Sequence, residues 1–465
     1  MDRLEPSRAR LGGIIEHLER GLVERGCAVR LTLLGALAGE HTLLVGPPGT
    51  AKSELARRVH RAFRDARYFE RLLTRFTVPE ELFGPLSIRA LEEDRYERHT
   101  AGFLPEASIA FIDEVFKANS AILNALLTLL NEREFDNGAG RIRCPLISVI
   151  GATNEIPEDE VAEAFFDRFL LRVNVAPVSD DGFGELIELR GDCGVGECAD
   201  ALEEADLRRL TATALKVGMP AAVVALLAEL RVWLAASGAW VSDRRWVKIA
   251  GLLRMACASE GRSVVSVWDL WLLPWCVAAD RPAQQAAADW LTDRLGVGTV
   301  PSTPRLTRVV EAFEAQLEAE CNANHLDYDE SGRLRFSPDL LAGEVADTKG
   351  GASAPRMTYA RKRRYGVRHI EARTTQLDDL TRRIEGYAQE LADCRADFAS
   401  WRAGSLWLDA DAALRIEAAL AGTATGIDGL LERVRITRAG FEALPRLDGE
   451  MGKVPEPVPH EPLSF

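Results

Sequence analysis

Long apolar runs, paired cysteines and an excess of positive charge are all missing from this 465-residue chain. Apolar stretches such as "AAVVALLAEL" stop at about ten residues, well short of the roughly 20 that a membrane-spanning helix needs, so no membrane span is expected. The N-terminal "MDRLEPSRAR" opens charged and lacks the apolar core of a secretory signal. The eight cysteines are scattered. Cys193 and Cys198 lie close together but have no second pair or nearby histidine, which argues against a zinc site and against a redox CxxC. Free, buried thiols in a reducing compartment are the simpler reading, and a cytoplasmic location is expected. With 57 Lys and Arg against 71 Asp and Glu, the formal net charge is −14. That speaks against nucleic acid as the main partner, because backbone binding needs basic surface; a local basic patch stays compatible with it.

What is present suits a globular protein: 47% hydrophobic and 28% charged residues, over a length that fits about three domains. Residues 1–40 carry apolar positions at helical spacing. From 41 to about 178, four short apolar runs, "HTLLVG", "SIAFIDE", "LISVIGATN" and "FLLRVNV", alternate with amphipathic stretches, the pattern of a parallel α/β sheet. Residues 179–300 read as an all-helical domain holding seven of the nine tryptophans, with Trp268, Trp271 and Trp275 spaced as a packed helix face. Residues 301–465 begin with a predicted helix from Leu306 to about Cys321. A small insert over 326–369 follows, with a hairpin at 326–337 and a loop at 345–360. A heptad-like seam then runs through Leu377, Leu380, Ile384, Tyr387, Leu391, Cys394, Phe398 and Trp401. Leu420, Ala424, Ile427, Leu431 and Val434 continue it in a second segment, weakened by Gly422, Gly426 and Gly429, so a helical hairpin is predicted. The proline-rich C-terminus is expected to be extended.

The chemistry concentrates between residues 43 and 168. "LLVGPPGTAKSELARR" is close to the phosphate-binding loop G-x-x-x-x-G-K-[ST]. In such a loop, successive backbone N–H groups at a helix N-terminus curve round the phosphates. Gly46, Pro47, Pro48, Gly49, Thr50, Ala51, Lys52 and Ser53 would form the cradle, with Lys52 at the β- and γ-phosphates and Ser53 on Mg²⁺. Ala51 stands where the last glycine is usual and is tolerable if it adopts helical dihedrals, with φ negative. "IAFIDE" ends a strand in two carboxylates: Asp113 for the Mg²⁺ shell and Glu114 to polarise the attacking water. "LISVIGATNE" ends in Thr153 and Asn154; the Asn154 amide is either a ligand of the lytic water or γ-phosphate, or a turn former. "EAFFDRFLLRV" places Arg168 between an apolar helix and a strand, either to reach a neighbouring subunit's phosphate or to make a local ion pair with Asp167.

In this order and spacing the elements resemble the AAA+ ATPases, and within them the MoxR family, whose phosphate loop commonly has alanine before the lysine. "RFTVPEELFGPLSI", "RYERHTAGFLPEASIAFIDEVFKA", "ILNALLTLLNEREF", "DRFLLR", "VSDRRW" and "GRSVVSVWDL" look like blocks of the RavA branch, covering roughly residues 5–295. The resemblance implies an AAA+ α/β core over 1–178, an all-α lid over 179–300 and a mainly helical C-terminal region over 301–465. It further implies a ring, typically a hexamer, with ATP between subunits, so that Asn154 becomes sensor 1 and Arg168 an arginine finger acting in trans. It implies a sensor 2 arginine from "SDRRW", with Arg245 favoured over Arg244 because the Ser242–Asp243 pair caps the helix one turn earlier. "FGPLSIRALEEDRYERHTAGFLPEA" matches the family's insert, expected to project from the ring. The expected partners are a von Willebrand A-domain (vWA) protein and a protein client that the motor remodels. The alternative is a nucleotide-gated scaffold that presents its C-terminal region, with slow hydrolysis as a timer. Two further patterns carry less. "DYDESG" opens like a calcium loop, but Pro338 sits where a bidentate glutamate is needed. "RMTYARKRRYG" reads as a solvated basic linker.

Overall fold

The computed structural model describes residues 8–138, 140–156, 160–189, 196–295, 303–325, 361–408, 410–447 and 453–460. They fall into two compact units, residues 1–295 with 397–416, and residues 296–396 with 417–465. The predicted hairpin at 326–337, the loop at 345–360, the calcium-like pattern and Cys193 lie outside the described residues.

In the first unit, helices α1 (Arg8–Glu19) and α2 (Gly26–Leu37) precede the first strand. Strands β1 (His41–Val45), β2 (Tyr68–Leu72), β3 (Ile109–Asp113), β6 (Ser148–Thr153) and β7 (Phe169–Asn174) form one parallel sheet in the order β2-β3-β6-β1-β7. The inner strands are near-continuous apolar runs because both faces are covered; every residue of β6 is buried. A separate antiparallel pair, β4 (Glu134–Asp136) and β5 (Arg141–Arg143), lies between β3 and β6 in the chain. Helices α2 and α3 (Lys52–Arg61) pack on the sheet, α4 (Pro79–Phe83), α6 (Ser120–Glu132) and α7 (Glu160–Phe166) contribute to the core beside it, and α5 (Ile88–Glu92) lies between α4 and β3 in the chain. Ile112, Leu126, Leu130, Phe165 and Phe169 belong to one core cluster, in which Phe165 and Phe169 meet edge to face at 5.4 Å.

This topology places the site. The last strand residues Val45, Asp113 and Thr153 end on the same side of the sheet, and β6 runs between β1 and β3. Ligands of open α/β sheets bind at the carboxyl ends of the strands.

After β7 come α8 (Asp180–Glu188), α9 (Glu204–Ala214), α10 (Ala221–Ala236), α11 (Asp243–Ser259), α12 (Pro274–Val277) and α13 (Arg281–Leu295), with a 3-10 turn at Val267–Leu272 before α12. Trp268 and Trp271 are buried, the packed face expected of them, although the backbone there is a 3-10 turn followed by a short α-helix. Residues 397–416 also belong to this unit. Asp397 accepts from Trp268 Nε1 at 2.8 Å, Trp407 Nε1 donates to Ser259 Oγ at 2.9 Å, and Leu406 N donates to Glu260 Oε1 at 2.7 Å. Burial pushes the Glu260 carboxyl upward, and the Arg262 guanidinium opposes it.

The second unit holds α14 (Thr303–Cys321), most of α15 (Val367–Gly404) and most of α16 (Ala410–Glu442). A two-stranded antiparallel pair joins β8 (Asn324–His325) and β9 (Arg361–Lys362). The predicted seam is buried at Leu377, Leu380, Ile384, Tyr387 and Leu391, and in the second segment at Leu420, Ile427 and Val434. Leu430, rather than the expected Leu431, completes it, and α16 runs unbroken through its glycines. Ion pairs tie the three helices, Arg433 to Glu314 at 2.6 Å, Arg438 to Asp378 at 2.6 Å and Arg373 to Glu320 at 3.0 Å. Residues 453–460 carry no regular secondary structure. Among the described residues the seven cysteines are free, and no helix is long and apolar enough to cross a membrane.

Candidate active site

The loop after β1 is fixed before any ligand arrives. Gly46 N donates to Thr153 O at 3.0 Å, and a Cβ on Gly46 would stand 2.1 Å from Val175 O, so only glycine fits there. Lys52 is 7% exposed and its Nζ donates to Gly46 O and Pro47 O, each at 2.7 Å. Burial pulls its pKa down, while Asp113 and Glu114 pull it back up. Among the described residues, no acceptor pairs with the backbone amides of Gly49, Thr50 or Ala51. A row of unpaired amides beside a folded-back ammonium at a helix start is an anion cradle.

Ala51 departs from expectation. It caps α3 with φ 64° and ψ 25°, in the left-handed region, not with helical dihedrals. The chain must swing from the loop into the helix at this residue, and a methyl group there costs about 1–2 kcal/mol. Glu114 has the same conformation, φ 51° and ψ 46°. Ala51 and Glu114 are two of six described non-glycine residues with positive φ, and these two carry the start of α3 and the second carboxylate at the end of β3, where strain at a functional site is common.

Asp113 and Glu114 follow β3, and Asp113 Oδ1 accepts from Glu114 N at 3.0 Å. Glu114 Oε1 accepts from Asn154 Nδ2 at 2.7 Å, and its Oε2 lies 3.2 Å from Lys117 Nζ. The insertion of β6 between β1 and β3 therefore brings Asn154 onto the carboxylate that the sequence marks as the base. Ser53 Oγ and Asp113 Oδ2 have no partner among the described residues, and both are hard oxygen donors suited to Mg²⁺.

Arg168 leaves the end of α7. Its Nε and Nη1 are buried and make no hydrogen bond, so no local ion pair with Asp167 holds it. Phe165 and Phe169, packed on either side in sequence, anchor its backbone, and Phe116 of the turn after Glu114 meets Phe165 and Phe166, each at 6.1 Å.

Arg245 does not stand as the sensor 2 reading expects. The Ser242 hydroxyl does cap α11, accepting from Arg245 N at 3.3 Å. The side chain, however, is 3% exposed and turned into the core. Its Nε donates to Cys276 O, Nη1 to Asp167 O and Oδ1, and Nη2 to Phe169 O and Leu170 O, at 2.6–3.3 Å. All five donors are engaged. Arg244, half exposed, reaches Asp167 Oδ2 at 3.4 Å and keeps donors free. The reason is helical phase: the cap fixes where α11 starts, and the next residue, not the first arginine, then faces the core.

Two residues escaped the sequence reading. Arg25, 6% exposed, donates to Thr50 O, Glu24 O and Ala176 O and so ties the phosphate loop to the segment after β7. His41 is buried, with Nδ1 accepting from Val149 N at 3.0 Å and Nε2 3.2 Å from Leu130 O; burial holds its pKa well below the ordinary 6.5. A lone arginine just before a helix and a histidine opening a strand carry no motif.

The comparisons with known proteins follow the same lines. A model described as the MoxR domain in the MoxR–vWA–β-propeller ternary systems matches residues 9–211, and one described as an AAA lid domain matches residues 222–291. Two uncharacterized proteins of Methanocaldococcus jannaschii are similar. One is 40% identical over 266 residues, 57% of this chain and 69% of the relative. The other is 41% identical over 262 residues, 56% of this chain and 69% of the relative. Protein MoxR of Paracoccus denitrificans is 28% identical over 186 residues, 38% of this chain and 52% of that protein. With the phosphate loop, the paired carboxylates and the interposed strand in their places and a lid following, the chain belongs to the MoxR family of AAA+ ATPases.

Proposed function

We propose that the chain hydrolyses ATP at sites shared between neighbouring copies in a ring, a hexamer in the simplest case, and uses the cycle to remodel or help assemble protein complexes. The observation that carries this reading is the pairing of a complete half-site with an unpartnered arginine. Lys52, Glu114 and Asn154 converge at the strand ends, while Arg168 is anchored at its backbone and bonded to nothing at Nε and Nη1.

In this reading the amides from Gly49 to Ser53 and the Lys52 ammonium bind the phosphates, and Lys52 leaves Gly46 O and Pro47 O to do so. Ser53 and Asp113 would hold Mg²⁺, which supplies charge neutralisation at the β- and γ-phosphates when bound. Glu114 accepts a proton from the attacking water and Asn154 orients that carboxylate. Arg168 of one copy stabilises charge developing at the next copy's γ-phosphate. Arg244, with free donors, replaces Arg245 as the candidate second sensor.

A vWA-domain partner is proposed from the matched model's description, and placement in the RavA branch from the sequence blocks quoted above. The insert at 83–107, the C-terminal region over 301–465 and a protein client complete the proposal, with a cytoplasmic setting. The test is Arg168→Ala. It is expected to bind ATP with wild-type affinity and to turn over about 10³–10⁵ times more slowly; turnover within a few-fold of wild type would remove the finger.

A further inference from the structure

We infer that Arg245 is a positioning residue for the neighbour's site: it sets the presentation of Arg168 and does no work on the nucleotide bound to its own subunit. The inference rests on the shared-site reading above and goes beyond it. Four of the five acceptors of the Arg245 guanidinium, Asp167 O, Asp167 Oδ1, Phe169 O and Leu170 O, bracket Arg168 on both sides along the chain. The fifth, Cys276 O, belongs to α12 of the lid. Arg245 itself rides on α11 of the lid, held at its first turn by the Ser242 cap. The residue therefore rivets three backbone segments together at the root of the finger.

The physical case is one of stiffness. A guanidinium this deeply buried is tolerable only when its donors are all met, and here they are. Moving any of those carbonyls breaks a bond in a place where water cannot replace it. Arg168 has the opposite character. Its own Nε and Nη1 hold on to nothing, so its direction follows its backbone, which Arg245 braces on both sides in addition to the helical bond from Arg168 N to Phe165 O. Arg244 adds a second, looser bond to Asp167 Oδ2. Elsewhere in the first unit, Arg25 joins Thr50 O of the phosphate loop to Ala176 O, just after β7 and before the lid. The same subunit thus connects its phosphate loop to the lid approach and its lid to the finger it lends to a neighbour.

A cis-acting residue and a finger-positioning residue are separated by mixing inactive variants in pairs. Arg245→Gln alone is expected to lower turnover about 10²-fold, the loss typical of a misplaced group, with ATP affinity unchanged. Mixed one to one with Glu114→Gln, it should recover about a quarter of the wild-type rate, the statistical share of sites in a ring of random order where an intact base meets an intact finger. Mixed with Arg168→Ala it should recover nothing, because neither variant supplies a finger. The reverse pattern, silence with Glu114→Gln and recovery with Arg168→Ala, would mean that Arg245 serves its own site and would overturn the inference. The control pair Arg168→Ala with Glu114→Gln keeps the two levels apart: failure there removes the shared site itself, whereas recovery there without recovery of Arg245→Gln removes only this assignment. Asp167→Asn, which leaves Arg245 in place and keeps the side chain's size, should follow the same mixing pattern with a smaller loss. If Arg245→Gln does not fold, that variant decides the matter by the same two mixtures.

Discussion

The two units treat their buried polar groups in opposite ways. In the first unit the strand ends carry spare bonding capacity: unpaired loop amides, a lysine folded back on its own loop, two left-handed non-glycine residues and an arginine with two orphaned donors. In the second unit the comparable cluster is closed. Glu320 accepts from His369 at 2.8 Å and from Arg373 at 3.0 Å, and its backbone oxygen accepts from the Tyr365 hydroxyl at 2.8 Å. Arg373 goes on to Glu456 O. Capacity held open indicates a place where something binds; capacity used up indicates bracing. By that criterion the strand ends of the first unit are a binding place, and the Glu320 cluster braces α14 against α15.

Substitutions can break this contrast. The largest effect belongs to the open site: Glu114→Gln should reduce turnover about 10²–10⁴-fold, the usual contribution of a positioned base, while ATP still binds, as steady-state rates and equilibrium titration would show. In the closed cluster, Glu320→Ala strands His369 and Arg373 without their shared carboxylate and should lower the stability of the second unit by about 3–5 kcal/mol. Nucleotide affinity should stay at the wild-type value. A loss of affinity would mean that the brace is part of the binding place.

A smaller effect concerns pH. His41 is held neutral in the folded core, its pKa below the ordinary 6.5, so below that pH the unfolded chain takes up a proton that the folded chain refuses. Stability therefore falls as pH drops through 6.5, by up to about 1.4 kcal/mol per unit, and continues to fall until the folded pKa is reached. Denaturation midpoints of wild type and His41→Asn at pH 7.5 and 5.5 would measure it, the variant losing that share of the slope. The smallest effect is Ala51→Gly. Relief of the left-handed methyl outweighs the added freedom of the unfolded chain, for a gain of about 0.5–1 kcal/mol in a thermal or chemical melt.

The strands that position the candidate site were legible in the sequence, because their apolar runs end in the polar residues that phosphate chemistry calls for. The apolar runs at 41–46, 108–114, 146–154 and 169–175 correspond to β1, β3, β6 and β7. β2 was not legible: "YFERL" is an edge strand, half polar and only partly buried, so its pattern is that of surface. The order of the strands, which carries Asn154 to Glu114, is a property of crossovers that no local spacing encodes. Which of Arg244 and Arg245 turns inward was not legible for a related reason. The cap at Ser242 was readable, but which arginine then turns inward depends on where α11 sits against β7. The same limit hid residues 397–416, whose heptad pattern carries on from the seam before them although their tryptophans bond to Asp269 and Ser259 in the first unit.

The measurement that tests the shared site most directly is the ATPase rate per subunit as a function of protein concentration. If each site is completed by a neighbour's Arg168, the rate per subunit rises cooperatively with concentration and levels off once rings are full. A rate per subunit that stays flat down to concentrations where the protein sediments as a monomer would contradict the account, since a lone subunit would then be hydrolysing ATP without a second copy's arginine.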